Sequence, residues 1–226
     1  MNVPYADRTA KWLVGDQLAA VLHLGDNRLA FQLADQGHDV VVIGDELSNV
    51  RHPEISYVKA SGPRLPFVAN AFDVVIAPDV HRPSSALADF ARVLRAGGLL
   101  STISQSYDDS IPWLRKLREI IGDPAPPAET VDILGASGLF GEAERTDFGS
   151  WEKLDLDGLM RFAKSAMGPS AGEETLYRVR ELFLGYGAQT GFLRLRHETH
   201  CLRARVDKDS LPEEAEPPDT MLLDFR

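Results

Sequence analysis

The run of β-branched residues at positions 39–43 constrains the fold of this chain more than any other feature. It reads Asp-Val-Val-Val-Ile, and a short apolar run without alternating polar residues is typical of a strand that is buried on both faces. A similar run covers residues 71–76. Apolar residues at helical spacing precede the first run over residues 27–36, and Gly37 marks the end of that helix. This alternation predicts an α/β fold with a mostly parallel sheet between two layers of helices.

The same patterns divide the rest of the chain into elements. Strands are predicted at residues 20–24, 39–43, 55–58, 71–76, 99–104, 139–148 and 191–206. Helices are predicted at residues 9–18, 27–36, 84–95, 111–121, 129–137, 156–166 and 174–186. The three prolines within residues 122–127 predict a loop there. The tryptophans are expected to pack in the interior, and they are Trp12, Trp113 and Trp151.

Acidic residues outnumber basic ones, 34 to 24, which gives a formal net charge of -10. A negative field repels phosphate backbones and anionic membranes, so general nucleic-acid binding is not expected. The acidic excess is concentrated in residues 207–226, which hold seven of the acids and two of the bases. We therefore expect an α/β domain over residues 1–206, followed by a flexible acidic tail.

The single cysteine, Cys201, excludes an internal disulfide and a thiolate metal cluster. No stretch approaches the roughly 18 apolar residues of a membrane span, and we expect a cytoplasmic protein without membrane contact. His197 and Cys201 share one face of the predicted final strand, about 13 Å apart, whereas His200 faces the other side. No metal site is therefore expected.

Three segments, in this order, carry a resemblance to a known family. The first reads VLHLGDNRLA at residues 21–30 and is followed by VVIGDE at residues 41–46. The second joins LPF at residues 65–67 to AFDVVI at residues 71–76, and the third reads ALADFARVLRAGG at residues 86–98. Their order and spacing resemble the class I S-adenosylmethionine-dependent methyltransferases, in particular the type 11-like members.

The resemblance implies a doubly wound, mostly parallel seven-stranded sheet of three-layer α/β/α architecture, with a C-terminal antiparallel hairpin. It also implies S-adenosylmethionine as cofactor and methyl transfer to an acceptor, which we expect to be a small molecule. The family binds this cofactor in the loops after the first, second and fourth strands. Gly44 occupies the usual place of the ribose-binding acid, so an acid reaches the ribose only from a shifted turn. The candidate cofactor-binding positions are Gly25, Asp26, Asp45, Glu46 and Pro78.

The cofactor loop departs from the family pattern, in which an acid is followed by glycines at alternate positions. His23 stands in place of the acid, and Gly25 is the one glycine that remains in a shortened loop. Asp26 or Asn27 is suited to cap the following helix. Residues 59–64 contain no carboxylate to bind the adenine amino group. The alternative is therefore a catalytically inactive protein with this fold that binds a protein partner or another ligand.

The segment after the predicted fourth strand contains candidate catalytic residues. Asp79 and His81 lie where family members place the substrate and the reacting groups, and either side chain can take a proton from a hydroxyl or an amine. A surface loop with ordinary polar residues explains them equally well. Because the sulfonium of the methyl donor is already activated, positioning alone can suffice, and no obligatory catalytic residue is predicted.

Overall fold

The fold was analysed in a computed structural model, which describes residues 7–24, 27–60, 64–77, 84–122, 134, 137–168 and 172–211. The strands are β1 (Ala20–Leu24), β2 (Asp39–Gly44), β3 (Ile55–Lys59), β4 (Phe72–Ala77), β5 (Leu94–Tyr107), β6 (Glu144–Leu154) and β7 (Leu193–Arg205). The helices are α1 (Asp7–Val14), α2 (Asn27–Asp35), α3 (Ser84–Val93), α4 (Pro112–Ile121), α5 (Leu156–Met167) and α6 (Glu173–Gly187), and a short 3₁₀ turn covers Lys208–Ser210.

The strands form one sheet in the order β3-β2-β1-β4-β5-β7-β6. Strand β1 is parallel to β2 on one side and to β4 on the other, with Leu24 opposite Ile43 and His23 opposite Ile76. The pairs β2–β3 and β4–β5 are also parallel. The chain therefore winds outwards from β1 to β3 and then returns to β4, which confirms the doubly wound topology and makes β1/β4 the switch point.

Alternate residues of the central strands enter two separate cores, one on each face of the sheet. Leu22 of β1 belongs to the same buried cluster as Phe90 of α3. Its neighbour Val21 belongs to the cluster that holds Leu13 of α1 and Leu33 of α2. Because both faces are covered by helices, most positions of these strands carry apolar side chains, as the sequence pattern predicted.

Two buried charges hold the LPF segment against α3. The Asp89 carboxylate accepts a hydrogen bond from the backbone N–H of Leu65 and one from Arg92 Nε at 2.7 Å. The other nitrogens of Arg92 donate to the carbonyls of Phe67 at 2.7 Å and Leu65 at 3.0 Å. The second and third family-like segments are therefore joined by one saturated hydrogen-bond network.

Asp73 and Arg95 join the starts of neighbouring strands. One Asp73 oxygen accepts the N–H of Ala20 at 2.9 Å, and the other accepts from Arg95 at 2.7 Å. Close packing here also requires a glycine, since a Cβ at Gly98 would lie 2.9 Å from the Arg95 carbonyl oxygen and 3.0 Å from that of Asp73.

Several predicted boundaries were wrong, for identifiable reasons. Helix α1 ends at Val14 and not at residue 18, because Gly15 has a positive φ of 100° and its N–H closes the helix on Lys11. Strand β5 begins at Leu94, because the residues up to Gly98 form an irregularity beside β4 instead of helix. Strand β6 covers Glu144–Leu154 and not residues 139–148, since Gly149 does not interrupt it.

The described residues group into two compact units. The larger unit comprises residues 7–104, 134–148 and 200–211 where they are described, and the smaller unit comprises residues 105–122 and 149–199 likewise. The smaller unit has its own core, in which Leu114 of α4, Leu159 of α5 and Val179 of α6 are fully buried. The predicted loop at 122–127 and most of the predicted helix at 129–137 lie outside the described residues.

Beyond residue 206, the start of the expected tail is attached to the larger unit. The Lys208 ammonium group donates to the carbonyl of Ala91 at 2.7 Å and to that of Arg92 at 3.2 Å. A cation in this position interacts favourably with the carbonyl groups at the C-terminal end of α3. Residues 212–226 lie outside the described residues.

Candidate functional site

The carboxyl ends of β1, β2 and β4 meet at one edge of the sheet, on either side of the switch point. These ends are Leu24, Gly44 and Ala77. In doubly wound folds, ligands bind in the crevice at this edge. The predicted residues Gly25, Asp26, Pro78, Asp79 and His81 all belong to segments that follow β1 or β4, and all lie outside the described residues.

Asp45 and Glu46 are the predicted site residues that the structure does describe. Both are exposed directly after β2. One carboxylate oxygen of Asp45 accepts the backbone N–H of Glu46 at 2.9 Å, and within the described part of the chain no other hydrogen bond to this side chain is present. An exposed carboxylate with accepting capacity left over fits a ribose diol, because each hydroxyl donates one hydrogen bond.

Gly44, which stands one residue before Asp45, lies in a tight turn. A Cβ at Gly44 would lie 3.1 Å from the carbonyl oxygen of Glu46, and the carbonyl of Gly44 accepts the N–H of Ala60 at 3.0 Å. A larger side chain at position 44 would therefore push against the turn. Gly44 allows the tight turn, and Asp45 is the next residue.

The loop after this turn is tied to the start of α2. Asn27 is the first residue of α2, and its amide nitrogen donates to the carbonyl of Val50 at 3.2 Å. Within the loop, Ser48 accepts the N–H of Val50 at 3.1 Å. Asn27 therefore connects the start of α2 to the loop that carries Asp45, and Asp26, the other candidate for the helix cap, lies outside the described residues.

His23 is buried in β1, with 3% of its surface exposed. It stands where the family has an acid, two residues before Gly25. A carboxylate can only accept hydrogen bonds from a ligand, whereas a neutral imidazole has one donor and one acceptor nitrogen. This substitution changes the hydrogen-bonding character of β1 at its carboxyl end without leaving an unpaired negative charge in the sheet.

The smaller unit contains a cluster of polar and aromatic groups that sequence reasoning missed. His197 Nε2 of β7 lies 2.8 Å from Glu152 Oε2 of β6. The Tyr107 ring meets the His197 ring edge-on, with centroids 5.2 Å apart, and Phe162 meets Tyr107 in the same way at 5.2 Å. The two partners are 45 residues apart in sequence, so no local motif indicates the pair.

Two further acid–base pairs join β6 and β7, in the larger unit. His200 Nδ1 lies 2.8 Å from an Asp147 oxygen, and Arg203 Nη2 lies 2.6 Å from Glu144 Oε2. Residue numbers rise along β7 as they fall along β6, which confirms the antiparallel arrangement of these C-terminal strands. These pairs show that β6 and β7 are neighbours by side-chain contact as well as by strand order.

The next features are the single cysteine, metal-binding groups and membrane-spanning helices. Burial raises the pKa of the Cys201 thiol to about 12, so it stays protonated and is a poor metal ligand. In the described part of the chain, no group of three or more His, Cys, Asp or Glu side chains is placed to hold a metal ion. Among the described helices, none is long and apolar enough to cross a membrane.

The tryptophans differ in their environments. Trp113 is 6% exposed and lies in the core of the smaller unit, as predicted. Trp151 is 52% exposed, and the Arg194 guanidinium lies 4.6 Å from its ring centroid. The packing role expected for Trp151 was wrong, because β6 is the edge strand of the sheet and this residue is on its uncovered face.

Comparisons with known proteins agree with this architecture. Residues 22–102 match the family model of a methyltransferase domain. An uncharacterized methyltransferase of Mycobacterium tuberculosis is 27% identical over 218 residues, which cover 89% of each protein. The demethylmenaquinone methyltransferase of Renibacterium salmoninarum is 32% identical over 124 residues, which cover 47% of this chain and 52% of that protein. A solved structure assigned to a type II methyltransferase of Anaeromyxobacter dehalogenans has a TM-score of 0.65 at 18% identity, covering 91% of this chain and 98% of that one.

The segment that matches the family model contains the strand ends that form the candidate site. Residues 22–102 include the carboxyl ends of β1, β2 and β4, together with Asp45 and Glu46. The structural likeness extends the same fold over 91% of the chain. Residues 22–102 of this chain therefore match a methyltransferase domain, and the chain has the Rossmann-like fold of methyltransferases.

Proposed function

We propose that this chain binds S-adenosylmethionine at the carboxyl ends of β1, β2 and β4 and transfers its methyl group to a small-molecule acceptor. The observation that carries the proposal is Asp45, an exposed carboxylate at the end of β2 beside the switch point, on a turn that Gly44 makes possible. Ligands of doubly wound sheets bind at this edge, and an acid after the second strand is suited to a ribose.

The residues at this edge would hold the cofactor in distinct ways. Asp45 would accept hydrogen bonds from the ribose hydroxyls, with Glu46 as the neighbouring carboxylate. Asn27 would keep the loop that carries them in place through its bond to Val50. When bound, S-adenosylmethionine supplies a methyl group on a positively charged sulfur. The chain then has to orient an acceptor and, where the acceptor carries a dissociable proton, provide a group to take it.

The alternative is a methyltransferase-fold protein without activity that binds a protein partner. The feature that motivates it is the cofactor loop, in which His23 replaces an acid and one glycine remains. The two proposals differ in one measurable property. An active enzyme has to bind S-adenosylmethionine and its demethylated product, whereas a partner module need bind neither.

Thermal unfolding of the full chain with each ligand tests the proposal. A ligand at 100 times its Kd stabilises the native state by about 2.7 kcal/mol, so a clear rise in Tm is expected with S-adenosylmethionine and with S-adenosylhomocysteine. Asp45→Ala should reduce this rise at a fixed ligand concentration. Asp39→Ala is the matched control, because Asp39 is an exposed acid at the opposite end of the same strand. No rise for either ligand at millimolar concentration would contradict the proposal.

A further inference from the structure

Helix α1 and the start of β6 border a cleft of about 610 Å³ in the larger unit. Its lining comprises Trp12 of α1 and residues 142–146, which lead into β6 and include its first three residues. Sites for small molecules have volumes of about 300–1,000 Å³, so the cleft is large enough for a ligand. The lining includes none of the strand ends proposed for the cofactor, and the cleft therefore needs an occupant of its own.

Arg203 of β7 holds the two walls of the cleft together. Its Nη1 donates to the Trp12 carbonyl at 2.7 Å, and its guanidinium carbon lies 4.5 Å from the centroid of the Trp12 ring. Its Nε and Nη2 both donate to Glu144 Oε2, at 3.0 Å and 2.6 Å. The positive charge of Arg203 is therefore matched by Glu144, and the walls are fixed before a ligand binds. Such preorganisation lowers the entropic cost of binding.

Two other charged side chains of the lining are not matched in this way. Glu142 and Arg145 are both exposed, and among the described residues neither side chain forms a hydrogen bond or an ion pair. In the same part of the chain, Oε1 of Glu144 accepts no hydrogen bond, since both bonds from Arg203 go to Oε2. The cleft therefore presents one negative and one positive charge that no described group of the protein neutralises.

This balance of charges favours a ligand that carries one charge of each sign. A guanidinium group binds a carboxylate through two parallel N–H bonds, so Arg145 is suited to a carboxylate. An ammonium group donates three hydrogen bonds, which Glu142 and Oε1 of Glu144 can accept. A ligand with only one of these charges would leave either Arg145 or Glu142 without a counter-charge. The Trp12 ring adds a flat apolar wall for a side chain.

We propose that this cleft binds a free amino acid, with its carboxylate on Arg145, its ammonium group on Glu142 and its side chain against Trp12. The binding involves no covalent step. It goes beyond methyl transfer and does not depend on it, because both the cleft and its charges belong to residues outside the cofactor edge. The full chain without cofactor or acceptor is therefore the material for the test.

The indole N–H signals of the three tryptophans in ¹H–¹⁵N spectra report on binding, and Trp12→Phe identifies the signal of Trp12. L-phenylalanine, L-leucine and L-serine are the amino-acid probes. A saturable shift of the Trp12 signal is expected, with the signals of Trp113 and Trp151 unchanged. 2-Phenylethylamine lacks the carboxylate of L-phenylalanine, and 3-phenylpropanoate lacks its ammonium group. Each should bind more weakly than L-phenylalanine by about 10-fold or more.

Two charge-removing variants assign the two ends of the ligand. In Glu142→Gln the advantage of L-phenylalanine over 3-phenylpropanoate should shrink, and in Arg145→Gln its advantage over 2-phenylethylamine should shrink. Both side chains are exposed, so the Tm of each variant should match that of the wild type. Glu54→Gln and Arg64→Gln are the matched controls, because both residues are exposed in the same unit and neither lines the cleft.

The proposal is overturned by any of three results. The first is the absence of a Trp12 shift with all three amino acids at millimolar concentration. The second is equal affinity for L-phenylalanine and for either of its singly charged analogues. The third is wild-type affinity for L-phenylalanine in both Glu142→Gln and Arg145→Gln.

Discussion

Two acid–base pairs of nearly equal burial, one in each unit, have very different surroundings. Asp89 and Arg92 of the larger unit are 10% and 12% exposed, and His197 and Glu152 of the smaller unit are 14% and 16% exposed. The first pair is saturated by backbone bonds to residues 65–67. The second makes one bond within itself and, in the described part of the chain, none to backbone. Two pairs of similar burial therefore differ in how many of their hydrogen bonds go to the backbone.

The largest expected effect tests this contrast through stability. Asp89→Ala leaves the Arg92 charge buried without its carboxylate and removes the acceptor of the Leu65 N–H, so the free energy of unfolding should fall by about 3–5 kcal/mol. Glu152→Ala removes one hydrogen bond between side chains, with a loss of about 1 kcal/mol. Urea unfolding measures both values. Equal losses would remove the distinction between the pairs.

Within the smaller unit, the two tryptophans offer a second contrast. Trp113→Ala opens a cavity in the core formed with Leu117, and a loss of about 3–5 kcal/mol in unfolding free energy is expected. Trp151→Ala removes an exposed ring and its stacking with Arg194, which is worth about 0.5–1 kcal/mol. Urea unfolding, followed by circular dichroism, compares the two variants. A large loss in Trp151→Ala would show that this face is covered.

Replacement of a glycine by alanine should lower stability at Gly98 of the larger unit and raise it at Gly185 of the smaller unit. Gly98→Ala places a Cβ against two backbone oxygens of the larger unit, and a loss of about 1–3 kcal/mol is expected. Gly185 lies in α6 with open space around its Cβ position. There alanine should stabilise the protein by about 0.5–1 kcal/mol, because it favours the helix. The Tm values of the two variants should lie on either side of the wild type, and the same sign for both would contradict this contrast.

The smallest effect concerns His38, a histidine of the larger unit that accepts a backbone hydrogen bond, whereas His197 of the smaller unit pairs with a carboxylate. Its Nδ1 accepts the N–H of Ala19 at 3.2 Å, and burial lowers the pKa of His38 below its usual range. As the pH falls through about 6.5, the unfolded chain takes up a proton that the native state resists. Stability contributed by His38 is therefore present above this pH and is lost below it.

A His38→Gln chain checks this dependence, because glutamine does not titrate. Its unfolding free energy should fall less steeply than that of the wild type between about pH 7 and pH 5. A steeper or equal fall in the variant would mean that His38 carries no such linkage. The stability difference itself should be modest, since it involves one hydrogen bond.

The sequence predicted the buried strands and the helices far better than the edge strand β6. Buried parallel strands such as β2 leave a continuous apolar run, and the Asp89–Arg92 network lies within segments that also carry the family resemblance. The edge strand β6 has no such signal, because one of its faces is exposed and Gly149 suggests an earlier end. The exposure of Trp151 follows from that edge position and is not visible in the sequence.

In the candidate site, too, the sequence indicates some residues, whereas the contacts between distant residues are visible only in the structure. Asp45 could be proposed as a ribose ligand from its place after the second predicted strand, although only the structure shows how close Gly44 lies to the Glu46 carbonyl. The hydrogen bond from Asn27 to Val50 joins residues 23 positions apart, so no local pattern indicates it. His197 and Glu152 are on different strands and meet only through the antiparallel pairing of β6 and β7, so their relation depends on tertiary structure.

Calorimetric titration of the full chain with S-adenosylhomocysteine tests the central claim most directly. Saturable binding at one site per chain is expected, with an affinity weakened by about 10-fold or more in Asp45→Ala, since a hydrogen bond to a charged group contributes about 1.5–3 kcal/mol. The Asp39→Ala chain should bind like the wild type. The absence of binding to the wild-type chain at millimolar ligand, or equal affinity in Asp45→Ala, would contradict the cofactor site proposed at the end of β2.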